Sequence, residues 1–216
     1  MSHSLNEIET MSKRAARGAG LPWGLAEEAG KTTRWLSAYG FPGVNLLVDL
    51  LEMHDALPIL DVSPVSLEAE TWSAPIGRMS PLIANASVSD CAARLLSRRT
   101  ITLENVDLPL LAVPSVGAVA STLGVSVAAE WQNARLVADG SAICVEGDPK
   151  ALEARHTAKM VFSIPAELKH RQEPMLRARV SDRSWSKLSA FAHRTYAPAT
   201  EESRQLGAGS SRNDND

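Results

Sequence analysis

The chain has 216 residues, of which 44% are hydrophobic and 22% charged, and its formal net charge is -3 with a sequence pI near 6.0. A chain of this length can bury a sizeable core, so neither disulfides nor a metal is needed to hold the fold. Lysine and arginine are not concentrated in any segment, and the longest apolar run, residues 44–51, is too short to cross a bilayer. We therefore expect neither nucleic acid nor a membrane as a partner.

Three helices are predicted at the amino terminus. The first begins with a capping box formed by Ser4 and Glu7, and Pro22 suits the first turn of the second. The third is apolar almost all round, as expected of a helix packed between other elements. The expected helices span about residues 5–17, 22–40 and 44–54. Together they define an N-terminal helical unit over residues 1–54.

The next part of the chain, residues 55–206, is expected to form an α+β sheet domain. Prolines punctuate residues 55–86, which predicts short edge strands or ordered loop there. The spacing of Ser87 and Asp90 resembles a capping box and predicts that a helix begins at Ser87. Further helices are expected to begin near Ser115, Asp148 and Ser181, and strands at about 101–103, 108–113, 160–164 and 176–180.

The clearest strand pattern is a three-stranded meander within residues 125–145. Asp139-Gly140 predicts a two-residue hairpin turn, because both central positions of such a turn need a positive φ. This turn would place Leu136 opposite Ile143. The register of the hairpin therefore follows from the position of the turn.

A second two-residue turn is predicted at residues 132–133. It would place Glu130 opposite Arg135 and bring Trp131 and Leu136 to the same face of the sheet. Slipping either turn by one residue would scatter the apolar side chains over both faces. We therefore expect helices from the later part of the chain to cover this apolar face.

These patterns predict an α+β fold, with an N-terminal helical unit packed on a mainly antiparallel β-sheet of about five to seven strands and with covering helices. The last ten positions, 207–216, have no apolar anchor and are expected to form a mobile tail. No basic segment followed by an apolar stretch opens the chain, so no signal peptide is predicted. Cys91 and Cys144 are expected to be buried thiols in a reducing cytoplasm.

Two stretches resemble a family of uncharacterised bacterial proteins known as a domain of unknown function. The first is residues 14–31, RAARGAGLPWGLAEEAGK. The second is residues 195–204, TYAPATEESR, followed by the glycines of 207–209 and the closing Asp-Asn-Asp of 214–216. The resemblance implies a bacterial, cytosolic protein. It implies no reaction and no cofactor.

The densest group of candidate functional side chains lies in the second predicted helix. Glu27 or Glu28 would act as a general base or hold a cationic ligand, with Trp23 as a stacking wall and Arg34 nearby. Adjacent glutamates on a helix point about 100° apart, so only one of them can enter a shared pocket. The alternative is structural, because acidic residues in the first turns of a helix favour its dipole.

A second group of candidates lies near the carboxyl end. Arg194, Tyr196 and Arg204 could bind a carboxylate or a phosphate. An arginine at the end of a helix also serves the helix dipole, which is the structural alternative. The five histidines show no HxxxH or HExxH spacing and the two cysteines form no CxxC pair, so no metal site is predicted. No sequence motif calls for a cofactor.

Two hypotheses for the function follow. The first is a non-catalytic binding or accessory subunit in small-molecule metabolism, because no recognisable catalytic motif is present and the apolar helices could also form an interface. Its partner would be another protein, a second copy of the chain or a small-molecule ligand. The second is a small-molecule enzyme that uses Glu27 or Glu28 for acid/base chemistry in a pocket between the helical unit and the sheet.

Overall fold

The chain folds into helices and strands that pack as an α+β protein, as predicted. A computed structural model describes residues 1–164 and 167–195. The helices are α1 (Leu5–Gly18), α2 (Trp23–Ala38), α3 (Gly43–His54), α4 (Pro81–Asp90), α5 (Ala92–Arg98), α6 (Ser115–Leu123), α7 (Pro149–Leu152) and α8 (Asp182–His193). The strands are β1 (Ser2–Ser4), β2 (Thr71–Trp72), β3 (Thr100–Asp107), β4 (Val127–Trp131), β5 (Ala134–Ala138), β6 (Ile143–Gly147), β7 (His156–Ser163) and β8 (Arg177–Arg179).

The main sheet has six strands in the order β2-β3-β7-β4-β5-β6. All neighbouring pairs are antiparallel except β2 and β3, which are parallel. A separate two-stranded sheet joins β1 to β8. The mainly antiparallel sheet predicted from the sequence is therefore confirmed.

The N-terminal helices pack closely on one another because small residues lie where they meet. The capping box of Ser4 and Glu7 is present at the start of α1. Gly30 of α2 lies against α1, where a Cβ atom would come within 2.9 Å of the carbonyl oxygen of Glu9. Close helix contact of this kind buries the apolar stripe of α2, including Leu36, which is fully buried.

The register of the meander is confirmed between β4 and β5, where Glu130 pairs with Arg135. The predicted two-residue turn at 139–140 is wrong, since the loop has four residues and Ile143 pairs with Ala138. Asp139 supports the longer loop, because its Oδ1 accepts hydrogen bonds from the backbone N–H groups of residues 141 and 142 at 3.0 Å. The shift is two residues, so every side chain keeps its predicted face.

Two other local predictions are wrong. Ser87 does not begin a helix but lies inside α4, which starts at Pro81. A proline is favoured at the first helical position, so Pro81 opens the helix rather than breaking it. Residues 108–113 form no strand, because Leu108 has a φ of 41° and is followed by a 3-10 helix over Pro109–Ala112.

A single apolar cluster joins the N-terminal helices to the main sheet, and it contains Trp131, Leu136 and Ile143 on one face. The other face carries a small buried patch of Ala128, Val137 and Cys144. At the outer edge of β6, the backbone groups of Ile143 exchange two hydrogen bonds with Gln172. Among the described residues, no helix has the length and apolar character needed to cross a bilayer.

Candidate functional site

A cavity of about 290 Å³ lies between α2, α4, α6 and the loop that joins β5 to β6. We call it the interlayer cavity. Its polar and aromatic lining residues are Glu28, Lys31, Thr32, Trp35, Tyr39, Asn85, Ser89 and Ser121. The remaining wall is formed largely by small residues of α6 and of the β5–β6 loop. Residues on both sides of position 54 therefore contribute to this cavity.

Two buried oxygen atoms, in residues that line the interlayer cavity, have no hydrogen-bond partner among the described residues. They are Oγ1 of Thr32 and Oδ1 of Asn85, in residues that are 1% and 4% exposed. The neighbouring Thr33 differs, since its buried hydroxyl donates to the carbonyl of Ala29 at 2.7 Å. A buried oxygen without a partner costs about 1–3 kcal/mol, so two of them beside one cavity mark a place where a ligand that reached them would supply donors.

Two aromatic rings form an apolar side of the same cavity. The rings of Trp35 and Tyr39 lie 4.7 Å apart between centroids and are tilted by 58°. Gly117 of α6 faces Trp35, and a Cβ atom there would lie 2.9 Å from the indole Nε1. Burial raises the pKa of the Tyr39 hydroxyl, as do the nearby carboxylates of Glu173 and Asp139. This wall is therefore apolar and uncharged at neutral pH.

A charged pair lies beside the buried part of the cavity. Lys31 Nζ is 2.8 Å from Glu28 Oε1, and the two side chains are one helical turn apart on α2. The hydrogen bond to Glu28 raises the pKa of Lys31. A ligand in the interlayer cavity would thus meet an ammonium and a carboxylate on one side, and the two buried, unpartnered oxygens belong to residues of another part of the wall.

The other predicted residues of α2 lie outside the cavity. Glu27 is paired with Lys13 of α1 at 2.6 Å, and this hydrogen bond lowers the pKa of Glu27. Trp23 is 64% exposed and carries the guanidinium of Arg17 at 4.5 Å from its ring centroid. Arg34 pairs with Glu9 at 2.7 Å. These contacts join the exposed faces of α1 and α2.

Trp23 and Arg194 line one surface depression together with Lys13 and Arg17. The two ends of the described chain that carry predicted binding residues therefore meet. Arg194 forms a bidentate ion pair with Asp55 at 3.0–3.2 Å. Lys13 is paired with Glu27, and Arg17 donates to a backbone carbonyl. The cationic side chains named here therefore already have partners within the chain. Tyr196 and Arg204 lie outside the described residues, as does the 207–216 tail.

A second polar group, missed by the sequence analysis, surrounds Asp107 at the end of β3. Its Oδ2 is 3.1 Å from His54 Nε2 and 2.9 Å from Arg78 Nη2, and its Oδ1 is 3.5 Å from His156 Nδ1. Burial raises the pKa of this carboxyl group, but the hydrogen bonds from His54 and Arg78 outweigh burial and lower it overall. We call these four residues the Asp107 cluster. Its carboxylate is ionised at neutral pH.

Metal ligation has no support in the part of the chain that the structure describes. Residues 1–164 and 167–195 contain no group of three or more His, Cys, Asp or Glu side chains arranged to hold an ion. Cys91 and Cys144 are both free thiols. Burial raises the pKa of the Cys91 thiol, which keeps it in the unreactive protonated form at neutral pH.

Solved structures include a protein with the same type of fold and a very different sequence. Sulfolactate dehydrogenase from Methanocaldococcus jannaschii is similar to this chain with a TM-score of 0.58, over 89% of this chain and 97% of its own. The sequence identity is 9%, so the likeness shows the fold alone. The fold class is thus α+β.

A profile of the family described as "Protein of unknown function (DUF3726)" matches residues 3–80. This range contains the stretch 14–31 that carries the N-terminal half of the sequence resemblance. It also contains the α2 side of the interlayer cavity, whereas Asn85 and Asp107 lie beyond it. No curated protein sequence matches the chain.

Proposed function

We propose that the protein is a non-catalytic binding or accessory subunit in small-molecule metabolism, and that it binds a small polar molecule in the interlayer cavity. The observation that carries this proposal is the pair of buried, unpartnered oxygens of Thr32 and Asn85, two residues that line the cavity. A pocket with an apolar side and a few convergent polar groups is the usual form of a small-molecule site.

The lining of the cavity favours a ligand that donates hydrogen bonds. A side-chain amide oxygen such as Asn85 Oδ1 can only accept, and a hydroxyl such as Thr32 Oγ1 accepts equally well. The rings of Trp35 and Tyr39 favour a flat or apolar part of the same ligand. A small molecule that carries a primary amide or an amine, such as an amino acid or its amide, fits these groups.

Binding is favoured over acid/base chemistry by the state of the two glutamates. Glu27 lies outside the cavity and its pKa is lowered by Lys13, whereas a general base at neutral pH works best with a raised pKa. Glu28 lines the cavity but is already paired with Lys31. The enzyme hypothesis therefore depends on Glu28 alone, and it requires the ion pair with Lys31 to open.

The two adjacent buried threonines provide a matched test. Thr32→Val removes the unpartnered hydroxyl at constant shape, so it is expected to raise the free energy of unfolding by about 1 kcal/mol. Thr33→Val removes a satisfied hydroxyl, so it is expected to lower that free energy by up to about 1 kcal/mol. Urea unfolding followed by circular dichroism measures both. A Thr32→Val protein that is no more stable than the wild type would contradict the reading of Thr32 as a ligand group.

Ligand-observed NMR with a mixture of small primary amides, amines and amino acids at millimolar concentration tests binding itself. Wild-type protein and Thr33→Val are expected to give the same binding signals, and Thr32→Val and Asn85→Leu are expected to lose them. Signals that survive in both cavity variants would exclude the interlayer cavity as the site. The same spectra recorded over hours report turnover. A product that forms with wild-type protein and not with Glu28→Gln would replace the binding proposal by the enzyme hypothesis.

The accessory role has its own test. Size-exclusion chromatography with light scattering measures whether the purified protein associates with itself, and pull-down from a lysate with wild-type and Trp23→Ala proteins measures other partners. A protein that stays monomeric and captures nothing would remove the accessory role and leave ligand binding alone. The free thiols of Cys91 and Cys144 support a cytoplasmic location, where thiols remain reduced.

A further inference from the structure

A second cavity, separate from the interlayer cavity, lies where α3 ends. We call it the apolar cavity. It has a volume of about 270 Å³ and is enclosed by the chain after α1, by α2, α3 and the start of α4, and by the loop 55–59. Its described lining residues have apolar side chains, apart from His54 and Ser80. A dry cavity of about 150 Å³ already admits benzene, so this one has room for a single-ring aromatic molecule.

His54 connects the apolar cavity to the Asp107 cluster. Its side chain is only 10% exposed, it lines the cavity, and its Nε2 lies 3.1 Å from Asp107 Oδ2. An ionised carboxylate accepts a hydrogen bond and cannot donate one, so this contact places the ring proton of His54 on Nε2. In the neutral imidazole the other nitrogen, Nδ1, is then a hydrogen-bond acceptor.

The backbone around this pair is strained. Of the five non-glycine residues with positive φ in the described chain, three lie within two positions of His54 or Asp107: Ala56 at 65°, Asn105 at 53° and Leu108 at 41°. Such conformations cost of order 1–3 kcal/mol each and cluster at binding and catalytic sites. Three residues in this uncommon conformation therefore flank the pair.

We propose that the apolar cavity is a second ligand site, which takes a small neutral molecule with an apolar body and one hydroxyl group, such as a phenol. The hydroxyl donates its hydrogen bond to His54, and Asp107 holds the imidazole in the tautomer that accepts it. Arg78 and Asp107 neutralise one another, so the cluster offers no net charge to attract an anion or a cation. The apolar walls exclude charged ligands as well. This site stands independently of the one proposed for the interlayer cavity.

Phenol and toluene are matched probes, because they differ by a hydroxyl in place of a methyl group. Titrations of each into isotope-labelled full-length protein at about pH 8, where an unperturbed imidazole is neutral, are followed by NMR. We expect phenol to bind up to about tenfold more tightly than toluene, which is the range that one neutral hydrogen bond contributes. The ring nitrogen resonance of His54 Nδ1 is expected to shift with phenol and not with toluene.

His54→Leu removes the ring acceptor, while Asp107 keeps its ion pair with Arg78. We expect this variant to bind the two probes equally, with the toluene affinity unchanged. His156→Leu is the control, because His156 also contacts Asp107 but is 46% exposed and does not line the cavity. It should keep the preference for phenol. Equal binding of both probes by wild-type protein, no binding of either, or a preference that survives His54→Leu would each overturn the proposal. If His54→Leu does not fold, the Nδ1 shift in wild-type protein decides the question.

Discussion

Gly18 at the end of α1 lies directly against the backbone of Phe191 in α8. A Cβ atom built on Gly18 would come within 1.8 Å of the Phe191 carbonyl oxygen, a distance that no small adjustment can relieve. Only a residue without a side chain allows the first and last described helices to approach this closely. The packing of the C-terminal helix on the N-terminal unit thus depends on this glycine.

We expect Gly18→Ala to lower the free energy of unfolding by about 2–4 kcal/mol, because α1 and α8 must separate. The matched control is Gly24→Ala in α2, where a new Cβ atom meets nothing within 4 Å. Alanine favours a helix over glycine by roughly 0.5–1 kcal/mol, so the control should be neutral or stabilising. Thermal and urea unfolding measure both variants. Equal stabilities for the two would show that the helices do not meet at Gly18.

The buried indole of Trp131 is expected to contribute to the stability of the fold. Its Nε1 donates a hydrogen bond of 2.8 Å to the carbonyl of Ala151 in α7, and this pair ties the meander to that helix. Trp131→Phe removes this buried side-chain hydrogen bond and leaves a small void, so we expect a loss of about 2–3 kcal/mol in urea unfolding. The exposed Trp23 serves as control, and Trp23→Phe should change stability by less than about 0.5 kcal/mol.

The loop carboxylate Asp139 predicts a dependence of stability on pH. The backbone N–H groups of residues 142 and 141 hold the pKa of Asp139 far below its usual range, assisted by Ser141 and Arg171. Because the folded pKa is the lower one, the stabilisation is complete above the unfolded value near 3.9 and is lost as the pH falls through the folded value. Asp139→Asn should therefore be less stable at about pH 7, and the difference should shrink at acidic pH. A difference that is constant across this range would contradict the ionic origin.

Asp107 and Asp49 are both ion-paired aspartates, but they should respond very differently to truncation. Asp107→Ala removes a buried carboxylate and leaves His54 and Arg78 without their partner, so we expect a loss of about 3 kcal/mol in the free energy of unfolding. Asp49→Ala breaks an exposed pair with Arg155 and should cost less than about 1 kcal/mol. Similar losses of unfolding free energy for Asp107→Ala and Asp49→Ala would mean that the Asp107 cluster stabilises the fold no more than an exposed ion pair does.

The faces of the meander could be predicted from the sequence because the side-chain period of a strand is two. The turn at Asp139 was placed two residues short, yet Leu136 and Ile143 still share the buried face. A sequence pattern cannot distinguish a two-residue loop from a four-residue loop here. The four-residue loop is stabilised by hydrogen bonds to the Asp139 side chain, which form only in the folded chain. The start of helix α4 is not evident from the sequence, because a proline such as Pro81 is common both in loops and at the first position of a helix.

The candidate sites were harder to predict, because their residues meet only in the folded chain. Asp107 is 53 positions from His54 and 29 from Arg78 in the sequence, so no local motif could predict that these side chains meet. One signal was present for the interlayer cavity. Thr32 lies on the otherwise apolar stripe of α2, and a polar residue in such a stripe needs a partner. Its partner is absent from the described chain, which is the feature that sequence alone could not reveal.

The contact between Gln172 and Ile143 bears on how the protein avoids aggregation. Strand β6 is the outermost strand of the main sheet on that side, and an open strand edge invites pairing with another chain. Gln172 takes up both backbone groups of Ile143, at 2.8 and 3.1 Å, and so blocks the start of this edge. A fragment that ends before Gln172 would expose that part of the strand, and its chains would be prone to join edge to edge into larger assemblies.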